Sequence, residues 1–152
     1  MNLSEHFTLE ELTFSSTAAR RGIDNTASAE IVEHLTVTAA GLEKVRALLG
    51  DPLHIDSGYR CPALNAAVGG VPTSAHTTGY AADFICPPAG APIDIVHKIV
   101  AHNEHCKAQM LGADMISFDQ LIQEGTWVHI SFAPTMRNQV LTAHFAGGKA
   151  TY

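Results

Sequence analysis

SGYRCPALNAAVGGVPTSAHTTGYAAD, residues 57–83, read together with WVHIS, residues 127–131, decides how this chain is understood. His76 stands seven residues before Asp83, with Gly79 between them and Ala81 and Ala82 beside the acid. His129 lies far downstream in an alternating, strand-like segment. Two imidazoles and one carboxylate form a donor set that Zn²⁺ accepts, with a fourth position left for water. That chemistry points to a hydrolase.

The segments around these residues set the fold. Thr8-Leu9-Glu10-Glu11 has capping-box spacing and predicts a short helix, ended by the turn formers Arg21-Gly22-Ile23-Asp24-Asn25. Ile31, Leu35, Thr38, Leu42, Val45 and Leu49 recur at helical spacing, so a second helix is expected over 29–49 with Ser28 as its N-cap. Residues 53–57 and 80–85 read as strands, 61–65 as a helical turn and 93–105 as a third helix. Strands over 118–123 and 127–132 flank Gly125-Thr126, which predicts a tight hairpin. The expectation is an α+β class in one domain over 1–152, a small antiparallel sheet flanked by helices.

A two-residue loop at Gly125-Thr126 pairs Glu124 with Trp127, Ile122 with His129 and Gln120 with Ser131. Alternation then places Gln120, Glu124, Trp127, His129 and Ser131 on one face. Leu121, Val128, Ile130 and Phe132 take the other, apolar face, and Asp119 falls there too. Glu124 becomes a diagonal neighbour of His129, about 7–8 Å away between backbones. A carboxylate so placed is the candidate general base, with Asp119 in reserve.

Bulk properties exclude several classes. A net charge of −6 with no basic run excludes a nucleic-acid partner. No apolar stretch approaches the roughly 18 residues of a membrane span. MNLSEHFTLEEL lacks a basic run followed by an apolar one, so synthesis in a bacterial cytoplasm without a secretory signal is expected. Cys61, Cys86 and Cys106 form an odd set without a C-x-x-C pair and are expected as free thiols. His102 and Cys106 have i, i+4 spacing on a helix, but H-E-x-x-H is absent and His102-Asn103-Glu104-His105-Cys106 reads as a polar run of the kind helices expose to solvent. No G-x-S-x-G elbow supports a serine hydrolase.

The ordered segments also resemble a known family. SAHTTGYAAD (74–83) is similar to the S-x-H-x-x-G-x-A-x-D motif of the M15 zinc peptidases, SGYR (57–60) to their SGYR box, and Trp127-Val128-His129 to their W-x-H box. Residues 7–25, FTLEELTFSSTAARRGIDN, resemble the N-terminal segment of phage and prophage members. The resemblance implies a Hedgehog/DD-peptidase-like fold and Zn²⁺ on His76, Asp83 and His129. It implies action on peptidoglycan peptides as a D,D-carboxypeptidase or an L,D-endopeptidase, outside the cell after release by a lysis system. Arg60 is implied as a clamp for a substrate carboxylate or the developing oxyanion. Ser74 either orients substrate or holds its loop, Trp127 is either packing or substrate wall, and Gln120 joins the substrate-facing set. Many members carry their catalytic acid three residues before the last His; Thr126 occupies that place here, and Glu124, in Leu121-Ile122-Gln123-Glu124, looks like the phage branch. The rival expectation is a catalytically silent zinc-binding virion or wall-binding module, and a monomer is favoured in either case.

Overall fold

Ser28 Oγ accepts from the Ile31 N–H at 3.3 Å and starts the longest helix, α3 (Ala29–Leu49), which Gly50 ends at φ +77°. The computed structural model describes all 152 residues. Leu35, Thr38, Ala39, Leu42 and Val45 form the buried stripe of α3, following the expected periodicity. Ahead of it, the N-terminal segment makes two helices where one was expected, α1 (Leu9–Thr13) and α2 (Ser16–Arg21). The reason is a second cap: Phe14 is extended and Ser15 Oγ accepts from the Ala18 N–H at 3.2 Å, restarting the helix. Further along come α4 (Pro62–Ala67) and α5 (Pro92–Ala108), each with proline in its first turn, where the missing N–H costs nothing.

Five strands form the main sheet in the order β1-β2-β4-β3-β5: β1 (His54–Ser57), β2 (Ala81–Ile85), β3 (Gln120–Gln123), β4 (Val128–Ser131) and β5 (Gln139–Thr142). The β3–β4 register is the expected one, with Gln120 opposite Ser131 and Ile122 opposite His129. The sheet is antiparallel except at its edge, where β5 joins β3 in parallel. That strand was not anticipated, and side-chain anchoring explains it. Asp119 Oδ1 accepts from Thr135 Oγ1, the Arg137 N–H and Arg137 Nε, which holds the 132–138 loop across the start of β3. The chain then runs beside β3 in the same direction. A separate hairpin follows, β6 (His144–Ala146) and β7 (Lys149–Thr151), turned at Gly147-Gly148.

Helices α3 and α5 cover one face of the sheet. Leu121, Val128, Ile130, Phe84 and Ala82 meet Leu42, Ile95 and Ile99 in a core of 21 buried residues. Each of these Leu, Ile, Val and Phe side chains contributes about 1.5–3 kcal/mol of burial. Contact is close: a Cβ on Gly41 of α3 would lie 2.3 Å from the Phe132 ring. The α+β class expected from the sequence is therefore the observed one. The other face of β2 and β4 carries Asp83, His129 and Ser131, which alternate with this core. No helix is long and apolar enough to cross a membrane.

Candidate metal centre

Asp83 on β2 and His129 on β4 are direct partners across the antiparallel pair. Both side chains therefore leave the sheet on the face away from the core. Asp83 Oδ1 lies 2.9 Å from His129 Nδ1. His76 reaches the same point from a 3₁₀ turn, Ala75–Thr78, with Nε2 at 3.2 Å from both Asp83 Oδ1 and His129 Nδ1. All three residues are buried.

The 3₁₀ turn is held from several sides. Ser74 Oγ accepts from the His76 N–H, and Gly79 closes the turn at φ +79°. From α3, buried Thr38 donates its hydroxyl to the Gly79 carbonyl at 2.7 Å, and His34 Nδ1 lies 2.7 Å from the Thr78 carbonyl. Most telling is His76 Nδ1, 2.7 Å from the Gly58 carbonyl. A ring nitrogen facing a carbonyl carries the proton, so Nε2 presents a bare lone pair to the site. Gly58 is a close-approach residue, because a Cβ there would lie 2.2 Å from the Leu12 carbonyl oxygen.

The donor set fits a metal ion. Bonds of about 2.0–2.1 Å at tetrahedral angles place ligand atoms about 3.3 Å apart. The observed triangle has edges of 2.9, 3.2 and 3.2 Å. Without a cation, only a proton on His129 Nδ1 can mediate among these lone pairs, and it cannot bridge to both neighbours equally. A single cation satisfies all three atoms at once, and these residues are the one His/Asp/Glu/Cys cluster whose donor atoms converge. Their protonation suits it. Burial holds His76 below its ordinary value despite the pull of Asp83, so the ring is neutral. Burial opposes ionisation of Asp83, but the two imidazoles outweigh it and keep the carboxyl well below the usual range.

Around the centre is a cleft of about 940 Å³. Arg60, Ser74, Gln120, Glu124 and Trp127 all line it beside the three ligands. Glu124 ends the β3 side of the hairpin, its N–H donating to the Trp127 carbonyl at 3.0 Å. Burial raises the Glu124 carboxyl above its ordinary value, partly countered by His129. Arg60 is positioned by its backbone, since its N–H donates to the His76 carbonyl at 3.1 Å. Asn25 clamps the same loop, donating to the Thr13 and Tyr59 carbonyls and accepting from the Cys61 N–H. Yet Arg60 Nε is buried with no hydrogen-bond partner. Leaving a buried charged donor without a partner costs free energy.

Other residues separate from this group. Ser74 has its hydroxyl engaged with the 3₁₀ turn, the loop-holding alternative, while bordering the cleft. Gln120 donates to Gln139 Oε1 at 2.8 Å. Asp119 borders the cleft as well, rather than lying wholly on the far face, but its carboxylate is engaged by Arg137 at 2.8 and 2.9 Å. Hydrogen bonds from Arg137 hold Asp119 far below the ordinary carboxylate range, so it makes a poor base. His102 Nε2 lies 2.9 Å from the Asp114 carbonyl and carries its proton there, so this nitrogen, the one 3.5 Å from Cys106 Sγ, has no lone pair to share with that thiol in holding a metal. Cys61, Cys86 and Cys106 are free. Sequence reading missed Phe145, Lys149 and Tyr152, which also line the cleft. The available signal was Gly147-Gly148, a hairpin dipeptide.

A family model, Peptidase M15, matches residues 5–130. With a buried His-Asp-His centre open to a cleft, the chain belongs to the peptidase M15 family, a family of metallopeptidases. No curated protein matches the sequence.

Proposed function

We propose that the protein is a zinc-dependent hydrolase of peptide bonds in peptidoglycan stem peptides, with His76, Asp83 and His129 as the metal ligands. The observation that carries this reading is the convergence of His76 Nε2, Asp83 Oδ1 and His129 Nδ1 in one cleft with Glu124 and the unpartnered Arg60. Zinc held there supplies Lewis acidity and lowers the pKa of a water from about 15.7 towards about 7. Glu124 takes the proton of the attacking water and delivers it to the leaving amine nitrogen. Its half-buried setting favours that exchange, because burial raises the carboxyl above its ordinary value and so makes it a stronger base. Arg60 offers its fork to a substrate carboxylate or to the oxygen that gains charge. Trp127 and Gln120 flank the peptide, and Ser74 keeps the His76 turn in place.

The bond cleaved is that of a D,D-carboxypeptidase or an L,D-endopeptidase, in the setting of a phage or prophage lysis enzyme that reaches the wall after release. The N-terminal likeness to phage members supports that setting. Arg60 favours an enzyme over a silent zinc-binding module, since a module has no need of a half-buried arginine whose Nε lacks a partner in the cleft that holds the three ligands.

The test is digestion of defined muropeptides, with products identified by mass spectrometry. Wild-type protein releases a new amino group, and a chelator stops it. Glu124→Gln keeps fold and zinc but loses turnover by about 10²-fold or more. Zinc binding without any cleavage would support the silent module instead.

A further inference from the structure

The family match stops at residue 130, but the cleft does not. Beyond that point the chain adds β5 and the β6–β7 hairpin. Gly147 and Gly148 both have positive φ, +58° and +79°, which a two-residue type I′ turn requires. The hairpin starts where the Ala143 N–H donates to the Gln123 carbonyl at 2.8 Å. It then leans on the β3–β4 turn: a Cβ on Gly125 would lie 3.3 Å from the Phe145 ring, and Gly125 has φ +83°. At its far end Tyr152 Oη lies 3.2 Å from Glu124 Oε1.

This is the one side-chain hydrogen bond that Glu124 makes. A carboxylate only accepts, so the phenol donates. Glu124 otherwise hangs from the end of a strand with three free torsions, and a base must sit within hydrogen-bond reach of the proton it takes. The bond occupies Oε1 and leaves Oε2 open. We propose that Tyr152 is a positioning residue, whose hydroxyl holds Glu124 Oε1 so that Oε2 is presented to the reacting water. The inference rests on the reading of Glu124 as general base.

The experiment compares full-length, zinc-loaded wild type, Tyr152→Phe and Glu124→Gln on a cleavable muropeptide. Tyr152 is 62% exposed, so losing one hydroxyl leaves the fold intact. In Tyr152→Phe, kcat falls about tenfold, the effect of one charge-assisted hydrogen bond, while KM and zinc content change by less than about twofold. The charged and titratable groups facing Glu124 are His129, Asp83, Arg60 and Tyr152. Of these the substitution removes only the Tyr152 hydroxyl, which favours the ionised carboxylate. The acid limb of the kcat profile therefore moves to higher pH. A merely structural strut would lower Tm or raise KM and leave that limb in place.

A readout free of turnover comes from ¹³C-labelled tyrosine. Burial and the Glu124 carboxylate raise the Tyr152 phenol, so Glu124→Gln brings its titration to lower pH. Wild-type kcat with an unmoved acid limb in Tyr152→Phe overturns the inference, provided Glu124→Gln is inactive. An active Glu124→Gln overturns the base reading and takes the Tyr152 role with it.

Discussion

Asp83 Oδ1 and His129 Nδ1 meet 2.9 Å apart because their residues are direct partners across β2 and β4. Strand period couples that meeting to the core: Phe84 opposite Val128 and Ala82 opposite Ile130 face the helices in the same register. A one-residue slip would expose the apolar set and part the ligands together. Asp83→Asn keeps the shape and loses the charge. Zinc affinity, measured by competition with a chelating dye, is expected to fall more than about 100-fold, beyond the range of residues that merely support a ligand. Unchanged affinity would remove Asp83 from the ligand set.

Gly58 links the N-terminal helix to the metal centre. Its missing side chain lets the Leu12 carbonyl approach, and its own carbonyl orients His76. Gly58→Ala must displace backbone, costing about 1–3 kcal/mol. Because the His76 partner moves, zinc affinity is expected to drop about 10–100-fold as well. Thermal unfolding and metal titration on the same sample check both effects.

Arg60 is bound to substrate and not to metal in this account, since a guanidinium has no lone pair to give. Arg60→Ala therefore keeps zinc and loses cleavage. Arg60→Lys restores charge without the planar fork and recovers only part of it. Loss of zinc from a folded Arg60→Ala protein would show that the side chain braces the centre.

Asp119 acts on stability. Its carboxylate ties the 132–138 loop to the start of β3 and so fixes β5. Asp119→Asn is expected to destabilise by about 1.5–3 kcal/mol at neutral pH, as for hydrogen bonds to a charged group, with milder loss of activity than Glu124→Gln. Its folded pKa lies below the unfolded value of about 3.9, so the stabilisation is complete above that pH and fades as pH falls through the folded value. Denaturant curves of the two proteins should draw together progressively as pH falls below about 4 and coincide only below the folded value.

The sequence exposed the centre because each part obeys a local rule. Alternation fixed which side chains share a face with His129, and the Gly125-Thr126 turn fixed the pairing with Ile122. The break at Phe14 depended on reading Ser15 as a second cap, a signal weaker than the turn at Arg21-Gly22. β5 escaped because its parallel pairing is nonlocal and its direction is set by the Asp119–Arg137 clasp. The Tyr152–Glu124 bond spans 28 residues, and no pattern in the sequence brings them together.

The most direct test is an anomalous difference map at the zinc absorption edge from crystals of the protein. The account predicts one peak about 2.0–2.2 Å from His76 Nε2, Asp83 Oδ1 and His129 Nδ1, and none at His102 and Cys106. A zinc-replete crystal with no peak there, or with zinc held by other side chains, would contradict it.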